Sequence, residues 1–435
     1  MKKGLAETIV DFLSFSNHDA DRVSVLSGFS SRRWEKSLRW LDDSGLSFYF
    51  LHRLKKLHAD SMVPVWVLSR LERDFAANQE RVDYMWQRFD QLNRAFHAAG
   101  VRFVALKGLT LVPEFCPYGS LRYQADFDYL VDEQCLPVAE LVLCKAGYRP
   151  KDTHSKLESL FVIPHAPDPS RNGDQYDARA GHAVELHLSV WHSDLHKLPA
   201  IPNLFSVEQG VTHQRNGYSF VALADQDAFL LQIVHACSHL FTHWIRISSL
   251  LEIGYFLQRR TADTDLWNRV AQRVGDNRAL REFAAVVTGL VATLFSPSIP
   301  PLLHTWSIQL RVAPRTWIER YARDWALSKL PVHQFSPLPK TKFDLFLRQQ
   351  YDDENGHLQS VMRVQQPWSS SRVSRIISSV KADPWLFLNA GWWKRQLLVR
   401  RTLYHALADL RYFFEIPRWL WRTRVKSGDS RLNPQ

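Results

Sequence analysis

A chain of 435 residues exceeds what one hydrophobic core usually supports, and 46% apolar content with 12% aromatic residues predicts that most of it packs, in two or three lobes. A formal net charge of +11 and a pI near 9.5 favour anionic partners, whether nucleotide, nucleic acid or an acidic membrane surface. The four cysteines, Cys116, Cys135, Cys144 and Cys237, include no CxxC pair, which argues against a zinc ribbon or a disulfide framework and fits a reducing cytoplasm.

The start, Met1-Lys2-Lys3-Gly4, is basic, but Glu7 and Asp11 interrupt the apolar run a secretion signal needs, so none is expected. Over residues 1–98 apolar side chains recur at helical spacing, as in Leu71, Phe75, Val82, Met85, Trp86, Phe89, Leu92 and Phe96, and predict a helical lobe. At Gly100 the pattern changes. Val101 to Leu106 reads as a short strand ended by Lys107-Gly108, and a short helical segment then reaches the turn Pro117-Tyr118-Gly119-Ser120. A strand follows over Phe127 to Val131, then a helix over Pro137 to Ala146 stopped by Gly147. Phe161 to Ile163 and Ala183 to Val190 read as two further strands around the polar, turn-rich segment Ala166 to Gly181. Residues 99–222 thus form a small mixed sheet with helices.

Helical periodicity returns over Asp225 to Leu240 and Trp244 to Leu257, with Asp225 and Asp227 where carboxylates suit a helix N-terminus. Residues 223–330 are expected to be a helical lobe on the core, and residues 331–435 a basic, aromatic-rich helical region. Pro331 to Pro339 and Gln366 to Arg375 are candidate loops. Phe283 to Leu303 is uncharged enough to suggest a membrane span, yet Ser296-Pro297-Ser298-Ile299-Pro300-Pro301 ends a helix after about four turns, so a buried helix is predicted.

The chemistry concentrates in Gln124-Ala125-Asp126-Phe127-Asp128-Tyr129-Leu130-Val131. Two carboxylates one residue apart on a strand project from one face, and Phe127 between them faces the core. Glu185, flanked by Val184 and Leu186, has the same pattern of one polar residue in a buried strand, and a carboxylate there is costly without a cation. Acids two apart also mark an ordinary solvent face. The apolar continuation Leu130-Val131, the preceding glycine turn and the third acid favour a cage for two divalent metals, the apparatus of nucleotidyl transfer.

The ordered elements Leu106-Lys107-Gly108, Arg122, Asp126, Asp128, Leu130-Val131, Gly147-Tyr148, Val184-Glu185-Leu186-His187 and His235-Ala236-Cys237-Ser238-His239 resemble the uncharacterised bacterial nucleotidyltransferase family of the polymerase-beta-type superfamily, over about residues 30 to 260. Glu252 stands where that family usually places an aspartate. The resemblance implies an α+β fold, a small mixed-sheet nucleotidyltransferase core embedded in helical N- and C-terminal lobes. It also implies Asp126, Asp128 and Glu185 as catalytic metal ligands for Mg2+ or Mn2+, with Lys107-Gly108 at the turn that binds NTP. The wider superfamily has Gly-Ser or Gly-Gly at that turn, whereas this chain has Lys107-Gly108-Leu109-Thr110. Lys107 or Thr110 can supply the phosphate contact instead, and Arg122 can meet a phosphate or anchor the acidic strand. The expected reaction moves a nucleoside monophosphate from an NTP to a hydroxyl of an unidentified small-molecule, carbohydrate or protein acceptor. The alternative is a protein that keeps the fold to bind a nucleotide or partner without transfer.

His187 lies on the same strand face as Glu185 and can orient a metal-bound water or a substrate hydroxyl. His235, His239 and His243 are spaced to share a helix face, and His182, His187, His192 and His196 cluster near the third acid. Such spacing can bind zinc, although a histidine packed against a hydrogen-bond partner is the commoner outcome. Aromatic and basic residues alternate from Trp385 to Lys426. They fit a helical lobe with arginines on its rim, a helix lying on the inner face of an anionic membrane, or a nucleic-acid surface.

Overall fold

The computed structural model describes residues 3–16, 24–151, 157–164, 176–178, 180–190, 204–241, 246–327, 329–330, 338–339, 341–351 and 392–429. Packing divides the chain into two units, one built mainly from residues up to 309 and the other mainly from residues 310 onward.

The first unit opens with helices α1 (Leu5–Phe12), α2 (Ser31–Ser44), α3 (Ser47–Lys56) and the long α4 (Val65–Ala98). The apolar positions that predict α4 form its inner stripe. Val82, Met85, Trp86, Phe89, Leu92 and Phe96 are all buried in one core cluster. A seven-stranded sheet follows, made of β1 (Phe103–Ala105), β2 (Asp126–Val131), β3 (Arg149–Lys151), β4 (Glu158–Val162), β5 (Ala183–His187), β6 (Gly210–Arg215) and β7 (Tyr218–Leu223), in the order β3-β4-β5-β2-β1-β7-β6. It is mixed: β2 runs parallel to β5 and β1 parallel to β7, and the other pairs are antiparallel. Helix α5 (Leu136–Lys145) follows β2 and contributes Ala139 and Leu143 to the same core.

This is the α+β fold expected from the sequence, with three strands more than the periodicity indicated. β6 and β7 form a hairpin whose Asn216 (φ +49°) and Gly217 (φ +78°) make the two-residue turn that matches strand twist. β3 is a three-residue exposed edge strand containing Pro150, and it carries no apolar alternation.

Strand alternation gives the sheet two unlike faces. Phe127, Tyr129, Val131, Val184 and Leu186 point into the core beneath α4, where the Phe89 ring lies 5.7 Å from Phe127 and the Phe96 ring 5.2 Å from Tyr129. Asp126, Asp128, Glu185 and His187 therefore share the opposite face. The unit continues through α6 (Asp225–Phe241), α7 (Ile247–Arg260), α8 (Thr264–Val274), α9 (Arg278–Phe295) and α10 (Pro301–Ile308). The uncharged segment read as a buried helix is α9, which ends at Phe295 with Ser296 in the left-handed region.

The second unit holds α11 (Val312–Arg320), α12 (Ala322–Leu327), the two-residue strands β8 (Lys329–Leu330) and β9 (Leu338–Pro339), α13 (Asp344–Arg348) and α14 (Trp392–Asp429). Its core is aromatic. Trp317 and Trp325 are buried, and their indole N–H groups donate to the Phe343 carbonyl (2.7 Å) and to Asp344 Oδ1 (3.1 Å). Among the described residues no helix is long and apolar enough to cross a membrane. Most of the expected Ala166 to Gly181 turn region, residues 331–337, the segment Gln366 to Arg375, His192, His196, His243, Trp385 and Phe387 lie outside the described residues, as do the side chains of residues 392–402 and 424–429.

Candidate functional site

The site is assembled by strand register. Parallel pairing places Asp128 directly opposite Glu185, Asp126 opposite Ala183 and Leu130 opposite His187, so an acid from each strand stands side by side. Asp128 is 5% exposed and His187 8% exposed. His187 Nε2 lies 3.0 Å from Asp128 Oδ1 and 3.6 Å from Glu185 Oε2. One ligand atom from each of Asp128, Glu185 and His187 falls within 4.8 Å of the others, the only such group of three or more among the described residues. Asp126 is one step down the same strand face and is not part of that group.

β1 delivers a cation to the same place. The Leu106 N–H donates to the Asp128 carbonyl (2.8 Å), and the next residue, Lys107, turns into the left-handed region at φ +25° and directs its ammonium to Asp128 Oδ1 at 2.8 Å. Gly108 follows at φ +62°. A Cβ there would lie 2.5 Å from Gln124 Nε2, and the Gln124 side chain in turn donates to the Asp126 carbonyl, so glycine is required both by conformation and by close approach. The Thr110 hydroxyl donates to the Lys107 carbonyl (3.0 Å), closing the turn.

The charges are unevenly matched. Burial raises the Asp128 carboxyl, but the Lys107 ammonium and then His187 outweigh it and hold that carboxyl below the usual range. Burial and then the neighbouring carboxylates Asp128 and Asp126 push Glu185 up to about 9. Asp126 is raised too, first by burial and then by Asp128. One lysine thus balances one acid, and two carboxyls remain short of positive charge. That deficit, with oxygen donors beside an imidazole, fits a divalent cation of the Mg2+ or Mn2+ type.

Around this face lie groups that the sequence reading named without joining. Arg122 Nε is 3.4 Å from Glu252 Oε1, which also accepts from the Tyr49 hydroxyl (2.9 Å). Tyr49 lies 3.1 Å from Cys116 Sγ. Glu252 is 1% exposed, and both its second oxygen and Arg122 Nη1 are enclosed without a hydrogen-bond partner among the described residues. Arg122 is therefore anchored to α7, and α7 to α3. The segment from Arg122 to Asp126 is held from the other side by α4: Asn78 donates to the carbonyls of Ser120 (2.8 Å) and Arg122 (3.1 Å), and Arg81 Nε donates to the Gln124 carbonyl (2.9 Å). The roles of Tyr49, Asn78, Arg81 and Gln124 went unread, because nothing in their local sequence sets them apart from ordinary helix and loop positions.

His235 and His239 meet on α6 with their Nε2 atoms 3.0 Å apart, the mutual hydrogen bond that is the commoner fate of such spacing. Burial, followed by the Lys107 ammonium, keeps His235 neutral, with its pKa lowered well below the ordinary value. His182 belongs elsewhere. It is hydrogen-bonded to the Tyr148 hydroxyl (2.6 Å) and packs on Phe127, on the core side of the sheet. A cleft of about 560 Å3, lined among others by His52, Lys55, Glu72, Phe75, Gln79 and Tyr118, borders Ser120 and Leu121 just before Arg122.

A mixed sheet that sets acids from two parallel neighbours beside a glycine turn is the framework on which nucleotidyl transfer is expected. Residues 30–296, more than half of the chain, match the model of the family described as uncharacterised nucleotidyltransferase, and the chain belongs to that family. No curated protein and no solved structure matches it significantly.

Proposed function

We propose that the protein is a divalent-metal-dependent nucleotidyltransferase of the polymerase-beta type that moves a nucleoside monophosphate from an NTP to an acceptor hydroxyl. The observation that carries this reading is the in-register pairing of Asp128 with Glu185, with Asp126 on the same face. Asp126, Asp128 and Glu185 would hold Mg2+ or Mn2+, with His187 beside them. A divalent cation so bound would make the acceptor hydroxyl more acidic and neutralise charge on the leaving pyrophosphate.

The chain's own groups divide the remaining work. Glu185, its side chain 25% exposed against 4% for Asp128, is the more accessible of that pair and, once a bound cation had ionised it, would receive the proton of the acceptor hydroxyl. The acceptor oxygen bonds to the α-phosphorus as the bond from that phosphorus to pyrophosphate breaks. Lys107, the turn at Gly108 and Thr110 face the phosphates, and Arg122 orients the strand that bears both aspartates.

Titration calorimetry with a non-hydrolysable NTP and Mg2+ or Mn2+ tests this. Metal-dependent binding is expected for the wild type and lost in the double variant Asp126→Asn with Asp128→Asn, and absence of binding to the wild type overturns the reading.

A second reading is favoured by one contact. The Lys107 ammonium already stands 2.8 Å from Asp128, as a counter-ion of the protein's own. In this reading the fold binds a nucleotide or a partner without transfer. Nucleotide binding that yields no pyrophosphate with any acceptor tested would select it.

A further inference from the structure

Helix α14 presents two unlike faces. On one, Ala408, Tyr412 and Trp419 are buried, with Trp419 stacked 4.9 Å from Phe346 and the Tyr412 hydroxyl accepting from Gln349 (2.7 Å). On the other, Leu403, Leu407, Leu410, Phe414 and Trp421 are between 52% and 75% exposed. At 100° per residue these five fall within an arc of about 60°. Five large apolar side chains in one stripe form a patch of the size that marks an interaction surface, not scattered surface apolarity.

The charge of the helix selects the partner. α14 carries nine lysines and arginines against three acids. Arg411 and Arg418, 49% and 67% exposed, run along the border of the stripe, each also within reach of an acid of the protein, Asp324 and Glu415. A second copy would bring like-charged helices together, and a nucleic acid would leave the leucine and aromatic stripe in water. Leucine, phenylalanine and tryptophan on one face with a basic surround is the chemistry of a helix lying in the headgroup region of an anionic bilayer. We infer that the face of α14 bearing Leu403, Leu407, Leu410, Phe414 and Trp421 docks on an anionic lipid surface, holding the protein at the membrane without spanning it.

The test uses the full chain and vesicles of equal parts phosphatidylcholine and phosphatidylglycerol, with phosphatidylcholine alone as control. At low salt the wild type sediments with the anionic vesicles at least about tenfold more than with the neutral ones, and about 0.5 M salt reduces the bound fraction. The variant Leu407→Asp with Phe414→Asp, altered only at exposed positions, stays in the supernatant with an unchanged circular dichroism spectrum. Arg418→Gln gives an intermediate result and serves as the milder variant. The inference is overturned if the wild type does not sediment with anionic vesicles, if the double variant sediments equally, or if light scattering shows a dimer in solution that the double variant breaks. None of these results depends on whether the sheet site transfers nucleotides.

Discussion

Lys107 and Asp128 meet at the end of β1 with Nζ 2.8 Å from Oδ1, and only 4% of the aspartate side chain is exposed. Burial alone would discharge the lysine, but Asp128, Glu185 and Asp126 together keep it charged and raise its pKa. The turn that positions this ammonium is bent into the left-handed region at two successive residues, a conformation held by Gln124 and Thr110.

Removing that ammonium leaves a buried carboxylate with only His187 to meet it. In the presence of a chelator, Lys107→Met is expected to cost about 3 kcal/mol, the low end for a broken buried pair because His187 still reaches Asp128. Mg2+ or Mn2+ is expected to restore part of the loss by entering where positive charge is missing. Urea unfolding with and without the cation measures both effects. A midpoint equal to that of the wild type under chelation would show that the pair contributes nothing.

Glu252 is the shared acceptor of Arg122 and Tyr49, so its removal takes the paired acid from a buried arginine and leaves the Tyr49 hydroxyl to the weaker sulfur acceptor of Cys116. Glu252→Ala is expected to destabilise by about 3 kcal/mol or more, and Glu252→Gln by less, since the amide oxygen still accepts from the Tyr49 hydroxyl. Comparison of the two denaturation midpoints checks the order. Equal stability of Glu252→Ala and the wild type would remove the anchor from the account of the site.

His182 supplies a pH dependence remote from the acidic face. Burial, then Arg81 and Arg88, lower its pKa from 6.5 to about 3, so the folded protein keeps it neutral where the unfolded chain takes up a proton. The stability it contributes is fully present above the unfolded value of 6.5 and drains away as pH falls towards 3, by up to about 1.4 kcal/mol per pH unit. His182→Gln, which can still meet the Tyr148 hydroxyl, is expected to flatten this acid limb. Unfolding midpoints from about pH 7 down to pH 4 give the slope, and identical slopes for variant and wild type would rule His182 out as its source.

How much of this could be read from residues alone depended on how local each signal was. Asp126 and Asp128 were legible because an acid, an aromatic and an acid on a strand must point alternately out and in, and Glu185 repeats the pattern. The hairpin of β6 and β7 had its own signal, Asn216-Gly217 between β-rich runs, and its omission left β1 without its parallel neighbour. β3 offered no pattern, being short, exposed and at the sheet edge. Tyr49 and Glu252 are 203 residues apart, and no spacing rule connects them. Nor does any rule foretell that Lys107 ends on Asp128, since that follows from where β1 stops and how sharply the chain turns.

β2 and β5 are parallel neighbours, so the chain must leave the sheet after Val131 and come back the same way round before Ala183 can pair. The acid of one strand therefore has no companion until roughly fifty further residues have been made and folded back. A nascent chain that has reached Val131 has both aspartates but lacks Glu185 and His187. The trio of Asp128, Glu185 and His187 consequently comes together in a single step, when the returning strand pairs beside the first, and not gradually as the chain emerges.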